Sequence, residues 1–143
     1  MIYAVIDTNV LVSALLKRGS NPDKVINLIA DKKVHPLYSE KILAEYREVL
    51  GRKKKYDFGA GIIDAVTDLF LTLGTSLEAG HPDSAEMAEV KDKNDIVFYE
   101  VTLEARNDTE AYLVTGNMKH FPARRFIVTP AEFLDIVDKA SGI

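Results

Sequence analysis

Three carboxylates occupy positions where a carboxylate is expensive. Asp7 ends the apolar run Ile2-Tyr3-Ala4-Val5-Ile6, Glu45 lies on the edge of an apolar helical stripe, and Asp95 opens a helix that is apolar almost all the way round. A buried, unpaired carboxylate is destabilising, so such a group shifts its pKa, pairs with a cation or ligates a metal. None of the three has a good basic partner next to it. Carboxylates gathered without cations point to a hard divalent ion, Mg2+ or Mn2+, as the missing positive charge.

Each position also has a plainer reading. Asp7 could cap the following helix through backbone N–H groups, although Asn9 is available for part of that task. At roughly 100° per residue, Ile42, Leu43, Tyr46, Val49 and Leu50 form one stripe, with Glu45 beside Ile42 and Val49. Glu40 falls further round and Glu48 almost opposite, so Glu45 alone of the three glutamates is aimed at the core boundary. Otherwise Glu45 is an edge residue reaching out to water. In the third segment Glu100 and Glu104 share the wet face, while Phe98, Tyr99 and Thr102 centre the opposite one, onto which Asp95 projects. The alternative for Asp95 is a first-turn acid held by the helix dipole. Asp92, just outside that helix, either supports Asp95 or is a plain loop acid.

The elements that must position these groups alternate. Strands are expected over residues 2–6, 34–38, 75–78, 111–115 and 126–128. Helices are expected over 9–17, from Asn21-Pro22 as cap and N1 proline to about 32, from the Ser39 cap to about 52, over 62–73, and from Asn94 or Asp95 to about 106. Thr129-Pro130-Ala131-Glu132 reads as a capping box opening a C-terminal helix. Apolar strands alternating with helices imply an α/β fold with a parallel sheet covered on both faces. Sites in such sheets form beyond the carboxyl ends of the strands. That places Asp7 at one such end and Asn117, just past Tyr112-Leu113-Val114-Thr115, at another.

The 143 residues suffice for one domain with a full core, and no repeat or linker divides them, so one domain over 1–143 is expected. With 47% apolar and 28% charged residues the composition is that of a globular domain. No stretch approaches the roughly 20 apolar residues of a membrane span, and the N-terminus lacks the features of a secretory leader. The absence of cysteine excludes disulfides, thiolate chemistry and Cys-ligated zinc, which fits a cytoplasmic protein. Net charge of -4 argues against indiscriminate polyanion binding, but positive charge is concentrated in Arg52-Lys53-Lys54-Lys55 and in Lys119-His120 with Arg124-Arg125. These runs read either as solvated cations near helix C-termini or as anion contacts.

Together the motifs resemble the PIN-domain family. Ile6-Asp7-Thr8-Asn9-Val10-Leu11-Val12-Ser13-Ala14 is similar to its opening, and Ser39-Glu40-Lys41-Ile42-Leu43-Ala44-Glu45-Tyr46 with Val49, Leu50 and Arg52 to its glutamate helix. Asp92-Lys93-Asn94-Asp95 resembles its acidic helix start, and Tyr112-Leu113-Val114-Thr115-Gly116-Asn117 the strand and turn that usually end in a fourth acid. The resemblance covers essentially the whole chain and is strongest to the bacterial and archaeal subgroup of toxin components from toxin–antitoxin pairs.

The resemblance implies a three-layer α/β/α fold with a parallel sheet of about five strands. It implies a metal-dependent endoribonuclease acting on single-stranded or structured RNA, with Asp7, Glu45 and Asp95 holding Mg2+ or Mn2+ and Asn117 in the fourth catalytic place. It further implies a cognate antitoxin and a homodimer. Asn117 departs from the usual Asp: a carbonyl ligand remains but one negative charge is gone, which weakens the hold on a second divalent ion. Thr8 and Thr115 either orient a water or ligand or satisfy local backbone groups. Arg52, Lys53, Lys119 and Arg124 are the candidates for contact with the RNA backbone.

Two rivals stand beside this reading. One is a PIN scaffold with little or no turnover that binds RNA or protein, favoured by Asn117. The other is a different phosphoester hydrolase. Against it, Asp7-Thr8-Asn9 lacks the second Asp of a phosphoaspartate enzyme, and there is no Gly-x-x-x-x-Gly-Lys, Gly-x-Gly-x-x-Gly or Gly-x-Ser-x-Gly motif. The histidines show no metal-ligand spacing: His35 reads as structural, His81 as a loop residue, and His120 as an RNA contact or an ordinary surface group.

Overall fold

Strand β1 (Ile2–Ile6) is followed by α1 (Thr8–Leu16), α2 (Asn21–Ala30), β2 (Val34–Tyr38), α3 (Glu40–Leu50), α4 (Ala60–Leu73) and β3 (Thr75–Ser76) in the computed structural model. Then come a 3-10 turn (Lys93–Asp95), α5 (Ile96–Ala105), β4 (Ala111–Val114), a second 3-10 turn (Met118–His120), β5 (Ile127–Val128) and α6 (Pro130–Ala140). The structure describes residues 1–79 and 87–141, so His81 lies outside the described residues.

The five strands form one sheet in the order β3-β2-β1-β4-β5, parallel throughout. Ile2 stands opposite Val34 on one side of β1, and Tyr3 opposite Ala111 on the other. Successive residues of a strand face opposite sides of its sheet. Ala4, Val5 and Ile6 are all buried, as is every residue of β4, so both faces are covered and the three-layer α/β/α expectation is met. A parallel sheet wants this arrangement, because its crossovers lay helices on both faces. Among the described residues no helix is long and apolar enough to cross a membrane.

The core is filled by Tyr46, Tyr99, Phe70, Phe98 and Phe133, all fully buried, around the aliphatic residues of β1 and β4. The Tyr46 hydroxyl donates to the Ile6 carbonyl. Burial pushes its pKa well above the ordinary tyrosine value, so the proton stays on the oxygen for that bond. At Gly74, where α4 turns into β3, a Cβ would sit 2.7 Å from the carbonyl oxygens of Phe70 and Pro36, so the turn requires glycine.

Several boundaries differ from the sequence reading. Ser20, not Asn21, caps α2: its hydroxyl accepts the Asp23 N–H, and Asn21 is already helical. Ser39 does cap α3, accepting from Ile42 N–H, but the helix ends at Leu50 rather than near Arg52. The acidic segment begins with a 3-10 turn, with Asp92 accepting the Asn94 N–H at 2.9 Å, before α5 starts at Ile96. Strand β3 is two residues long and β4 stops at Val114. Thr129 and Glu132 form the expected capping box.

Candidate active site

Strand β1 has β2 on one side and β4 on the other, so the chain leaves β1 at the point where strand order reverses. A crevice opens at such a place beyond the carboxyl ends of the strands. Asp7 sits there: its N–H donates to Val114 O at 2.9 Å, continuing the β1–β4 ladder for one residue. Asp7 is 3% exposed and occupies the N-cap position of α1, but its side chain makes no cap hydrogen bond to the later N–H groups of the first turn. Instead Asp7 Oδ2 accepts from Thr115 Oγ1 at 2.7 Å and from Asn9 Nδ2 at 2.9 Å. Asn9 Oδ1 in turn accepts the Gly116 N–H at 3.0 Å, and a Cβ at position 116 would come within 3.2 Å of that oxygen. The backbone after β4 is thereby drawn against the start of α1.

Glu45 arrives from α3. Ile42, Leu43, Tyr46 and Leu50 are buried, Glu40 and Glu48 are exposed, and Glu45 is half-buried, as the helical stripe requires. It does not snorkel freely, because Thr8 Oγ1 donates to its Oε2. Thr8 and Thr115 therefore serve carboxylates. The Thr115 hydroxyl has one backbone contact besides, accepting the Asn117 N–H at 3.0 Å.

Asp95 is half-buried at the end of its 3-10 turn, and its Oδ2 lies 2.9 Å from His120 Nδ1. The expectation that no basic group adjoins the three carboxylates is thus corrected at Asp95. His120, Asp92 and Asp95 each offer a ligand atom, all within 4.8 Å of one another. The pairing spans 25 residues, and no local spacing could have announced it. One backbone bond helps to fix it: Lys91 N–H donates to His120 O at 3.0 Å.

The electrostatics link the three acids. Burial raises the Asp7 pKa to about 6, against the hydrogen bond from Thr115, with Asp95 and Glu45 adding further upward pressure. Burial also raises Glu45, eased by the Thr8 hydroxyl and worsened by Asp95. Asp95 is raised by burial and by Asp92, and lowered by His120. Among the described residues, no Lys or Arg forms an ion pair with any of the three. Among the described residues, the only cluster of three ligand atoms within 4.8 Å of one another is Asp92, Asp95 and His120, so Asp7, Glu45 and Asp95 do not converge as tightly. Asp7 feels Asp95 and Glu45, and Glu45 feels Asp95, a repulsion that a hard divalent cation between them would relieve.

The remaining candidates lie at the surface. Asn117 is exposed, and its side chain caps nothing in the turn it opens. Arg52 is held by Glu48 through two hydrogen bonds, and Arg124 pairs with Glu89 at 2.7 Å. Lys53 and Lys119 are exposed. Glu100 and Glu104, expected on a fully wet face, are only half-exposed.

The sequence matches the family model described as "PIN domain" over residues 3–119. No match is found among curated proteins. Among solved structures, one similar chain is from the "Crystal structure of VapBC2 from Rickettsia felis bound to a DNA fragment from their promoter". The two chains share 24% identity over 83% of this chain and 90% of that one, with a TM-score of 0.51, a likeness of fold.

Proposed function

This chain belongs to the PIN-domain family, and on that premise we propose that it is a metal-dependent endoribonuclease hydrolysing phosphodiester bonds of single-stranded or structured RNA. The observation that carries the proposal is a buried Asp7 within electrostatic reach of Glu45 and Asp95 at one sheet edge, with no Lys or Arg ion pair to any of the three among the described residues. Asp7, Glu45 and Asp95 would hold Mg2+ or Mn2+. When bound, such an ion supplies an activated water and neutralises charge developing on the phosphoryl group.

The protein's own groups do the rest. Thr115 and Asn9 hold the Asp7 carboxylate in one orientation, and Thr8 does the same for Glu45. Fixed orientation matters because a ligand set aligned in advance loses no free energy to reorganisation during reaction. His120 steadies Asp95. Lys53 and Lys119 would contact RNA phosphates, joined by Arg52 and Arg124 if they exchange Glu48 and Glu89 for the strand.

The motif resemblance extends the proposal to a toxin of a toxin–antitoxin pair, acting in the cytoplasm as one domain over 1–143, able to dimerise and held in check by a cognate antitoxin. The fold shared with a chain of the VapBC2 structure is compatible with that role. A second reading is favoured by Asn117: with an amide in place of the fourth carboxylate, the scaffold would bind RNA or protein with little turnover.

The deciding experiment is cleavage of a mixed single-stranded RNA pool with Mg2+, Mn2+ or EDTA, comparing the wild type with Asp7→Asn. Metal-dependent cleavage lost in the variant supports the nuclease. No cleavage with any ion, together with no divalent binding by titration, supports the scaffold.

A further inference from the structure

The segment between α3 and α4 carries the longest run of cations in the sequence, Arg52-Lys53-Lys54-Lys55, followed by Tyr56 and Phe58. It is a shaped loop. Lys55 N–H and Tyr56 N–H both donate to Arg52 O, at 3.0 and 2.8 Å, and Phe58 N–H donates to Tyr56 O at 3.0 Å. The Tyr56 and Phe58 rings stack with centroids 5.5 Å apart and planes 13° from parallel, and Lys55 Nζ lies 5.5 Å from the Tyr56 centroid.

This stack serves no core. Among the described residues neither ring belongs to the buried cluster or packs against it, and both are partly exposed. By contrast Tyr46–Phe70 and Tyr112–Phe133 are ring pairs between buried residues. Lys53 and Lys54 are exposed and make no ion pair among the described residues. The four cations outweigh the single acid of the segment, Asp57, in a protein of net charge -4. The loop also adjoins the site: α3 ends at Leu50, only about 7.5 Å of helix rise beyond Glu45, and Arg52 interacts electrostatically with that carboxylate.

We propose that the loop 52–58 docks unpaired RNA, with Lys53 and Lys54 contacting phosphates and the partly exposed Tyr56–Phe58 pair stacking with a base. This rests on the nuclease reading above and specifies its substrate as single-stranded. Every base has a π-face, so an aromatic platform takes any unpaired base, whereas bases inside a duplex are already stacked on each other. The cations supply affinity that falls as salt rises.

The test is fluorescence anisotropy of a short labelled oligouridylate with the full-length protein in EDTA, where nothing is cut. Phe58→Leu keeps apolar bulk but removes the platform, and should weaken binding about tenfold, with Phe58→Trp restoring it. Lys53→Gln combined with Lys54→Gln should flatten the dependence of log Kd on log salt by about 1.4. Duplex RNA should bind more weakly and be indifferent to Phe58→Leu. The inference is overturned if the wild type does not bind, if Phe58→Leu and Tyr56→Leu bind as it does, or if Trp fails to rescue. Because only binding is read, the two proposals separate. Cleavage with unaffected loop variants removes this one alone, and loop-dependent binding without cleavage in any ion removes the nuclease alone.

Discussion

Thr115, at the carboxyl end of β4, donates its hydroxyl proton to Asp7 Oδ2 across 2.7 Å, joining residues 108 positions apart in the chain. The bond is buried, and its acceptor is the most deeply buried of the three candidate metal ligands. Groups that orient a ligand from behind typically matter about 10–100-fold in metal affinity or activity. Thr115→Val should therefore lower metal-dependent RNA cleavage by about that factor, and Thr115→Ser should keep most of it. Initial rates at saturating Mn2+ check this; equal rates for Val and wild type would remove Thr115 from the site.

Asp7 titrates near 6 in the folded protein and at its ordinary 3.8 when unfolded. With a raised folded-state pKa, the stability it contributes is fully present below about 3.8 and is lost as pH rises through about 6. The metal-free protein should thus be more stable near pH 5 than near pH 7.5, by about 1.4 kcal/mol from this residue. Glu45 and Asp95, both raised by burial, act in the same direction. Asp7→Asn should raise the melting temperature of the metal-free protein at neutral pH while abolishing cleavage. Thermal melts in EDTA decide the first point, and a lower melting temperature in the variant would contradict it. Saturating divalent ion should flatten the pH profile of the wild type.

His120 contacts Asp95 from a half-exposed position, so its removal should not unfold the protein. His120→Ala should cost less than about 0.5 kcal/mol of stability yet reduce cleavage about 10–100-fold. Chemical denaturation and cleavage rates, measured on the same preparation, separate the two effects. An unchanged rate would make the His120–Asp95 contact a surface pairing only.

Asn117 stands where the resemblance expects an acid, and its side chain caps nothing in its turn. Asn117→Asp adds a negative charge beside the Thr115–Asp7 pair without removing a cap. Divalent-ion affinity should increase about tenfold or more, read by titration calorimetry. If affinity and cleavage both stay where they are, position 117 takes no part in holding metal.

Local sequence was enough for the elements and for the carboxylates they carry. A continuous apolar run ending in Asp7 gave β1 and its exit; the 3.6-residue stripe of α3 separated Glu45 from Glu40 and Glu48; Thr129 and Glu132 announced α6. These are short-range consequences of backbone period and capping. Even there, Ser20 displaced Asn21 as a cap, because both are good capping residues and only the actual backbone turn chooses. The partner each candidate carboxylate finds was decided by tertiary structure. Thr8 reaching Glu45, Thr115 reaching Asp7 and His120 reaching Asp95 span 37, 108 and 25 residues. Thr115 meets Asp7 because β4 lies against β1, so that the residue after each strand emerges at the same sheet edge, while the other two pairs depend on how α3 sits by α1 and how the two 3-10 turns meet. A hydroxyl or an imidazole in a sequence carries no mark of the acid it will meet; strand order supplies that address.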